Sequence, residues 1–374
     1  MKILFTGGGT GGHIFPIIAV ARELKKVSLE EKLILCYMGP EDDFASIFLP
    51  QEEIKTKFIL SGKIRRYWNF ITFFQNIFDI LIKIPLGIIQ SFLILFFWAP
   101  DIIFSKGGYG SLPVVLSGWI LRIPILLHES DAAPGLANRI LSKFAHKIFV
   151  SFPLRETEYF PLKKMLSVGN PIREELLRGN REEAKNIFKL NYKKPVILIF
   201  GGSQGSERIN EMLLEILPQA LKDFEIIHQA GEKNYYQVKR ETEAILSKEF
   251  QKNYHLYSFL RETELKHAMA AVDCIIARAG SGTIFEIAAL GKPSILIPLP
   301  EAAQNHQVKN AYAFAKSEAC MVLEETNLTP HFFLEKLKNL FSLKANEKMA
   351  RRAKEFSKPE AVRTIAQYIL EYLK

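Results

Sequence analysis

The sequence predicts an α/β protein of two Rossmann-like, doubly wound domains, each on a parallel sheet, with the sheet ends facing a cleft. Three observations predict it. Short apolar runs alternate with amphipathic stretches along the chain. A Gly-rich turn follows the first apolar run of each half: Gly7-Gly8-Gly9-Thr10-Gly11-Gly12 and Gly201-Gly202-Ser203-Gln204-Gly205. Finally, 374 residues exceed one ordinary core and fit two.

Composition narrows the class. A chain with 48% hydrophobic and 24% charged residues is globular. Cys36, Cys274 and Cys320 are too widely spaced for a disulfide framework or a zinc site, which points to a reducing compartment. His128-Glu129 lacks the second His of a zinc-protease motif. The net charge of +9 is spread over both halves without a basic tail. With no helix-turn-helix, RRM or finger signature, nucleic acid is not the expected partner. An anionic membrane surface is a better use of mild basicity beside apolar surface. The first apolar run is too short for a signal peptide.

In chain order, residues 3–6 read as a strand and 14–26 as an amphipathic helix, with Pro16 in its first turn. Gly7, Gly9 and Gly12 satisfy G-x-G-x-x-G, but no acidic residue ends the next strand, 33–37, and no Walker lysine is present. What survives is a turn that a phosphate or sugar can approach closely. His13 at the helix mouth is a candidate general base, with a polar cap as the plain alternative.

Residues 67–98 stand out. Tyr67, Phe70, Ile71, Phe74, Ile77, Phe78, Leu81 and Ile82 form a helical stripe, and 84–100 carries no charge. Three readings compete: a helix buried in the protein, a surface that dips into a bilayer, and a true span. The aromatics and Lys63, Arg65, Arg66 and Lys83 favour the interfacial one. A span would break the strand–helix rhythm, because 101–105 resumes as a strand.

Lys106-Gly107-Gly108-Tyr109-Gly110-Ser111 is a second Gly-rich turn, followed by a helix over 112–121. Strand 125–127 delivers the polar cluster His128-Glu129-Ser130-Asp131 at its C-terminal end, where open α/β sheets carry function. Pro134-Gly135 precedes a helix containing Asn138, and 147–150 is a further strand. The domain boundary is expected within 160–171. The pattern then restarts with strand 195–200 and strands over 225–229, 255–259, 274–276, 294–297 and 320–323. The last helix, 360–373, has an apolar face of Val362, Ile365, Ala366, Ile369, Leu370 and Leu373.

Residues 277–291 place a Gly-rich turn and helix start between two strands, which is a ready anion site. Glu286, one turn in, suits two vicinal hydroxyls such as a ribose presents. Gln304, Asn305, Gln307 and Asn310 suit sugar hydroxyls. Together these residues suggest a nucleotide-sugar site, and glycosyl transfer needs only leaving-group stabilisation and one base.

At this point the motifs carry a family resemblance. They are Thr6-Gly7-Gly8-Gly9-Thr10-Gly11-Gly12-His13-Ile14-Phe15-Pro16, Gly107-Gly108-Tyr109, His128-Glu129 with Pro134-Gly135-Leu136-Ala137-Asn138, Gly169-Asn170-Pro171-Ile172-Arg173, Gly201-Gly202-Ser203-Gln204-Gly205, residues 278–286, and His306-Gln307 with Asn310. The chain resembles the GT-B glycosyltransferases, and within them the lipid II-forming N-acetylglucosaminyltransferases of bacterial peptidoglycan synthesis. The resemblance spans nearly the whole chain in the family's order.

It implies an acceptor and membrane-associating domain over 1–168, a UDP-N-acetylglucosamine domain over 169–358, and a terminal helix over 359–374 packing back on the first domain. The implied reaction is inverting transfer of N-acetylglucosamine to the muramoyl 4-hydroxyl of undecaprenyl-diphospho-muramoylpentapeptide (lipid I), at the cytoplasmic face of the bacterial plasma membrane. His13 is the implied base, with Glu129 its rival and a positioning role open for either. Thr10, Gly11, Gly12, Tyr109, Asp131 and Asn138 would serve from the first domain. Arg173 and Ser203 would hold diphosphate, and the Leu260 backbone would meet uracil. Arg278, Ser281, Gly282, Thr283, Ile284 and Phe285 would line the donor, Glu286 would take the ribose, and Gln307 and Asn310 would read the sugar. No cofactor or metal is implied as required, and Mg²⁺ is left as an optional aid. Other wall-synthesis proteins are implied as possible partners. Three features depart from some members: Ser130-Asp131 replaces Gln-Asn, His306 replaces Gln, and 67–98 is more apolar. Rival readings are a glycolipid synthase such as a diacylglycerol glycosyltransferase, a sugar-nucleotide epimerase, and a non-catalytic UDP-sugar-binding membrane subunit.

Overall fold

The computed structural model describes residues 1–8, 11–28, 33–63, 65, 70–153, 159–202, 205–300, 305–342 and 345–374. The chain forms two units, Met1–Ile172 with Pro359–Lys374, and Arg173–Lys358.

The first unit carries β1 (Lys2–Thr6), β2 (Ile34–Gly39), β3 (Lys55–Phe58), β4 (Ile102–Ser105), β5 (Ile125–Glu129), β6 (Lys147–Val150) and β7 (Met165–Ser167). All pair in parallel, in the order β3-β2-β1-β4-β5-β6-β7. The order reverses between β1 and β4, so the crevice outside their carboxyl ends is the expected ligand position. The central strands are buried on both faces, as a parallel sheet requires. Phe5, Tyr37 and Phe104 are fully enclosed, each worth about 1.5–3 kcal/mol of burial. β3, Lys-Thr-Lys-Phe, has no apolar alternation to reveal it. It is an edge strand whose lysines suit solvent.

The first helix runs Gly11–Val27 and so begins inside the Gly turn, three residues before the expected start. Pro16 therefore lies within it, and the helix gives the Gly12 carbonyl no i→i+4 donor. The final helix, Ala361–Tyr372, seats Ile365, Ala366 and Ile369 in the same core as Ile14, Ile17 and Phe5 of this unit.

Phe70–Trp98 is one helical stretch with a π-turn at Asp79–Lys83. Among the described residues it is the one helix long and apolar enough to cross a membrane. Its polarity is inside out. Thr72, Asp79, Gly87, Ser91 and Leu95 are buried, whereas Phe70 is 77% and Phe97 81% exposed. Asp79 pairs with Arg65 at 2.7 Å and Lys83 at 3.0 Å. Asn76 exchanges two hydrogen bonds with the Arg65 backbone, and Gln90 accepts from the Leu60 N–H. The alternative of a helix buried in the protein is overturned, because its large apolar side chains face outward. Arg66 and Tyr67 lie outside the described residues.

The second unit carries β8 (Val196–Phe200), β9 (Glu225–Gln229), β10 (Tyr254–Tyr257), β11 (Cys274–Ala277), β12 (Ser294–Leu296) and β13 (Met321–Val322). These are parallel, in the order β10-β9-β8-β11-β12-β13, with the switch between β8 and β11. Ile197, Ile199, Leu213, Ile216, Leu217 and Phe333 anchor its core.

Candidate active site

At the switch point of the first unit, two turns meet. The N–H of Lys106 donates to the Thr6 carbonyl at 2.7 Å, tying the end of β4 to β1. Gly107 and Gly108 follow, both at φ +81°, where a side chain is strained. Space forbids one as well. A Cβ on Gly107 would lie 1.9 Å from Asn138 Oδ1, and one on Gly108 3.0 Å from His13 Nε2. The Gly pair thus lets the His13 ring, half-buried in the first helical turn, lie directly against the backbone. Tyr109 begins the next turn, with Lys63 Nζ 6.0 Å from its ring centre.

The end of β5 supports this turn from beneath. Glu129 is 4% exposed; Oε1 accepts the Asp131 N–H at 2.8 Å and Oε2 accepts from Asn138 Nδ2 at 2.7 Å. Asn138 Oδ1 in turn accepts the Gly108 N–H at 3.1 Å. A relay therefore runs from Glu129 through Asn138 to the glycine that faces His13. Burial, with the Asp131 charge, pushes the Glu129 carboxyl up to about 7 against the opposing hydrogen bonds and Lys106.

Lys106 lies beside it, 2% exposed. Its Nζ is 2.8 Å from His128 Nδ1, in contact with Ser130 Oγ, and 3.5 Å from Asn170 Oδ1. Burial lowers its ammonium to about 8, against the attraction of Glu129 and Asp131. Burial and then Lys106 hold the His128 imidazolium well below its usual range, so His128 is neutral. Its Nε2 lies 3.1 Å from the Gly169 carbonyl, which accepts only from an N–H. Nδ1 is therefore the acceptor for Lys106.

At the second unit's switch point, β11 ends in Arg278-Ala279-Gly280, and the helix Ser281–Leu290 begins with Gly280 as a cap without a side chain. Ser281, Gly282 and Thr283 are half-buried, and their first-turn N–H groups have no intrahelical acceptor. Ile284 and Phe285 point into the core, so only their backbones can line a ligand. Glu286 is paired with Arg173 at 3.2 Å, both nearly buried. Burial raises the Glu286 carboxyl, with Arg173 opposing.

Arg278 is enclosed by the protein itself. It donates to Ser206 Oγ at 2.6 Å, to the Ile297 carbonyl at 3.1 Å, and to Glu325. The Leu260 N–H is taken by Gln229 Oε1 at 2.9 Å, and Gln229 Nε2 donates to the Gly202 carbonyl. Gln307 Oε1 accepts the Leu299 N–H at 3.0 Å, and buried Asn310 donates to the Ala279 carbonyl at 3.3 Å.

Gly11, Gly12, His13, Tyr109, Glu129, Asp131 and Asn138 thus belong to the first unit. Arg173, Leu260, Arg278, Ser281–Glu286, Gln307 and Asn310 belong to the second. Thr10, Ser203 and Gln304 lie outside the described residues. Sequence reasoning assigned no role to Lys106, Ser206, Gln229 or Glu325. The one available signal was Lys106 itself, a charge one residue beyond the apolar run Ile102-Ile103-Phe104 and directly before two glycines. Among the described residues no cluster of three His, Cys, Asp or Glu is arranged for a metal.

Comparison with known proteins assigns this architecture. Residues 3–150 match the glycosyltransferase family 28 N-terminal domain, and residues 196–365 match its C-terminal domain. The two-unit fold with a Gly turn at each switch point is thus that of a family 28 glycosyltransferase. The chain is 38% identical, over 99% of both chains, to a Bacillus cereus UDP-N-acetylglucosamine–N-acetylmuramyl-(pentapeptide) pyrophosphoryl-undecaprenol N-acetylglucosamine transferase, and it belongs to that transferase family. The crystal structure of Acinetobacter baumannii MurG superposes with a TM-score of 0.73 at 25% identity, covering 99% of this chain and 100% of that one. A Neisseria meningitidis UDP-GlcNAc 2-epimerase shares the fold at a TM-score of 0.68 and 18% identity, covering 99% and 100%. The fold alone therefore does not separate transfer from epimerisation.

Proposed function

We propose that the enzyme moves N-acetylglucosamine from UDP-N-acetylglucosamine to the 4-hydroxyl of the muramoyl group of lipid I, forming lipid II for peptidoglycan. The observation that carries this reading is the end-to-end kinship with transferases named for that reaction. The acceptor oxygen attacks the anomeric carbon opposite the diphosphate, the carbon–oxygen bond to UDP breaks, and the configuration inverts to β. The acceptor proton passes to a base, which we assign to His13 because its ring stands at the turn where β1 and β4 meet. Glu129, with a protein donor on each carboxylate oxygen, suits a positioning role. On the donor side, the Ser281–Thr283 N–H groups and the helix dipole suit the diphosphate, Arg173 adds charge, and Glu286 suits the ribose hydroxyls.

The second partner is the membrane surface, at the cytoplasmic face of the bacterial plasma membrane. We assign Phe70–Trp98 to lie along the bilayer rather than to cross it. A span would strip Asp79, Asn76 and Gln90 of their partners and place them in hydrocarbon.

The test is transfer of radiolabelled N-acetylglucosamine to a short-chain lipid I analogue in detergent, with and without EDTA, beside a diacylglycerol acceptor. Label on the lipid I analogue alone is expected. Label on diacylglycerol alone would keep the donor reading and sink the acceptor. Equal rates with EDTA would exclude a divalent ion from the reaction.

A further inference from the structure

We propose that Gln229 is a positioning residue of the donor side, its one amide clamping the Gly turn after β8 to the backbone of Leu260 so that the seats for diphosphate and base move as a single piece. The proposal rests on the reading of the second unit as the UDP-N-acetylglucosamine domain.

Gln229 ends β9, the strand between β8 and β10. It stands level with Phe200, the last residue of β8, and with Tyr257, the last of β10. Its side chain, 4% exposed, reaches the segments that leave both neighbours. Nε2 donates to the Gly202 carbonyl at 3.0 Å, and Oε1 accepts the Leu260 N–H at 2.9 Å. These partners dictate the residue type. One is an acceptor and the other a donor, so the clamp needs a donor and an acceptor on one group of this length. Asparagine is one carbon short. A carboxylate brings two acceptors and sets a charge against the Gly202 carbonyl. The two partners also fix the orientation of the amide, because the flipped one would turn donor to donor and oxygen to oxygen.

Both segments need that hold. The turn has Gly202 at φ +91° and Gly205 at φ +79°, so its backbone has little stiffness of its own. Its internal bond, from the Gly205 N–H to the Gly202 carbonyl, is long at 3.2 Å. Gly205 rests on the Ala230 carbonyl, where a Cβ would lie at 2.3 Å. Ala230 thus supports one end of the turn by contact, and Gln229 holds the other by a hydrogen bond. On the far side, the Ala230 N–H still takes the Tyr257 carbonyl at 2.9 Å and the Gly231 N–H the Ser258 carbonyl at 3.0 Å. Two residues further on, it is the Gln229 side chain that holds Leu260. Loss of the amide therefore frees both segments at once.

The test measures binding of UDP and of uridine by calorimetry, with donor KM and kcat on the lipid I analogue, for the wild type, Gln229→Met and Gln229→Glu. Methionine keeps the length and removes both bonds. Its Kd for uridine and for UDP should both rise, and donor KM should rise about tenfold to a hundredfold, the effect of stranding buried polar partners. Its kcat at saturating donor should stay within about twofold of wild type. Glutamate, ionised at pH 9, keeps the Leu260 N–H and loses the Gly202 carbonyl. Its Kd for UDP should rise about tenfold while that for uridine stays within about twofold. Burial beside a carbonyl raises the introduced carboxyl, and at pH 6 the neutral acid has one O–H and one carbonyl oxygen in place of the amide. The ratio of Gln229→Glu to wild-type Kd for UDP, taken at each pH, should therefore fall back toward one. A loss of kcat in place of binding, a UDP affinity unchanged in both variants at pH 9, or a ratio that ignores pH would overturn the proposal. If Gln229→Met does not fold, the pH dependence of Gln229→Glu decides. A wild type that does not bind UDP would defeat the donor reading and the clamp with it. A wild type that binds UDP but transfers no label would defeat the acceptor reading alone, and calorimetry would still judge Gln229.

Discussion

In the first unit the Gly turn after β4 rests on charges sealed inside the protein, Lys106 and Glu129, neither more than 4% exposed. In the second unit the turn after β11 rests on arginines, with Arg278 fixed to Ser206, Ile297 and Glu325, and Arg173 to Glu286. The topology is the same, but the holding groups differ in chemistry. A lysine lowered to about 8 and a carboxyl raised to about 7 change state near neutral pH, whereas a guanidinium does not. The acceptor side should therefore be sensitive to pH near neutrality, and on the donor side the arginines should not change state, leaving Glu286 as its titrating group. Substitutions in the first unit should fall on kcat, and those in the second on donor KM or on stability.

The largest effect is expected at His13. His13→Ala should lower kcat about a thousandfold, within the range of a general base, with donor KM little changed. An unchanged kcat across pH would remove His13 as base and return Glu129 to that role.

Asn138→Ala comes next. It takes a donor from Glu129 and the acceptor from the Gly108 N–H in one step. Misplacement of the turn should cost about a hundredfold in kcat, again at constant donor KM. If donor KM rose instead, the division of labour between the units would fail.

Glu286→Ala should reverse the pattern. Lost hydrogen bonds to ribose, at about 1.5–3 kcal/mol for a charged partner, raise donor KM about tenfold to a hundredfold while kcat holds. Glu286→Gln keeps one acceptor and should be milder. Because burial raises the Glu286 carboxyl, with Arg173 opposing, donor KM of the wild type should rise toward low pH, and Glu286→Gln should remove that rise.

The division into backbone turns and side-chain frames also explains what was legible in the sequence. Gly-rich turns after apolar strands, at 7–12, 107–108 and 278–283, announce themselves, because strand core and backbone permissiveness leave a composition signal. Glu286 was legible by its place one turn into a helix. The Lys106–His128–Ser130–Asn170 cluster was not, because its members come from three segments whose meeting depends on the order β1-β4-β5-β6-β7. Arg278 reads as a ligand residue in sequence, yet its fork is filled by Ser206 and Glu325, 72 and 47 residues away. β3 escaped because an edge strand need not be apolar. The helix start at Gly11 escaped because glycine is a poor helix former whose place is set by tertiary contacts. The Phe70–Trp98 stripe showed that a helix was there, but not which face would turn outward. That was decided by Asp79 and Asn76 finding Arg65.

The smallest effect tests the rigid side of the comparison. Ser206 does two jobs: it caps the helix Glu207–Asp223 through the Ile209 N–H, at a long 3.4 Å, and it accepts from Arg278. Ser206→Ala should cost about 1 kcal/mol for the cap, seen as a fall of about 2–4 °C in the second unit's Tm. Arg278 keeps the Ile297 carbonyl and Glu325, so the turn should hold and donor KM should stay within about twofold of wild type. Two remaining acceptors are enough for a guanidinium whose charge is never in question. If donor KM rose as far as in Glu286→Ala, the second turn would be as finely poised as the first, and the contrast between titrating and permanent charge would not be what separates them.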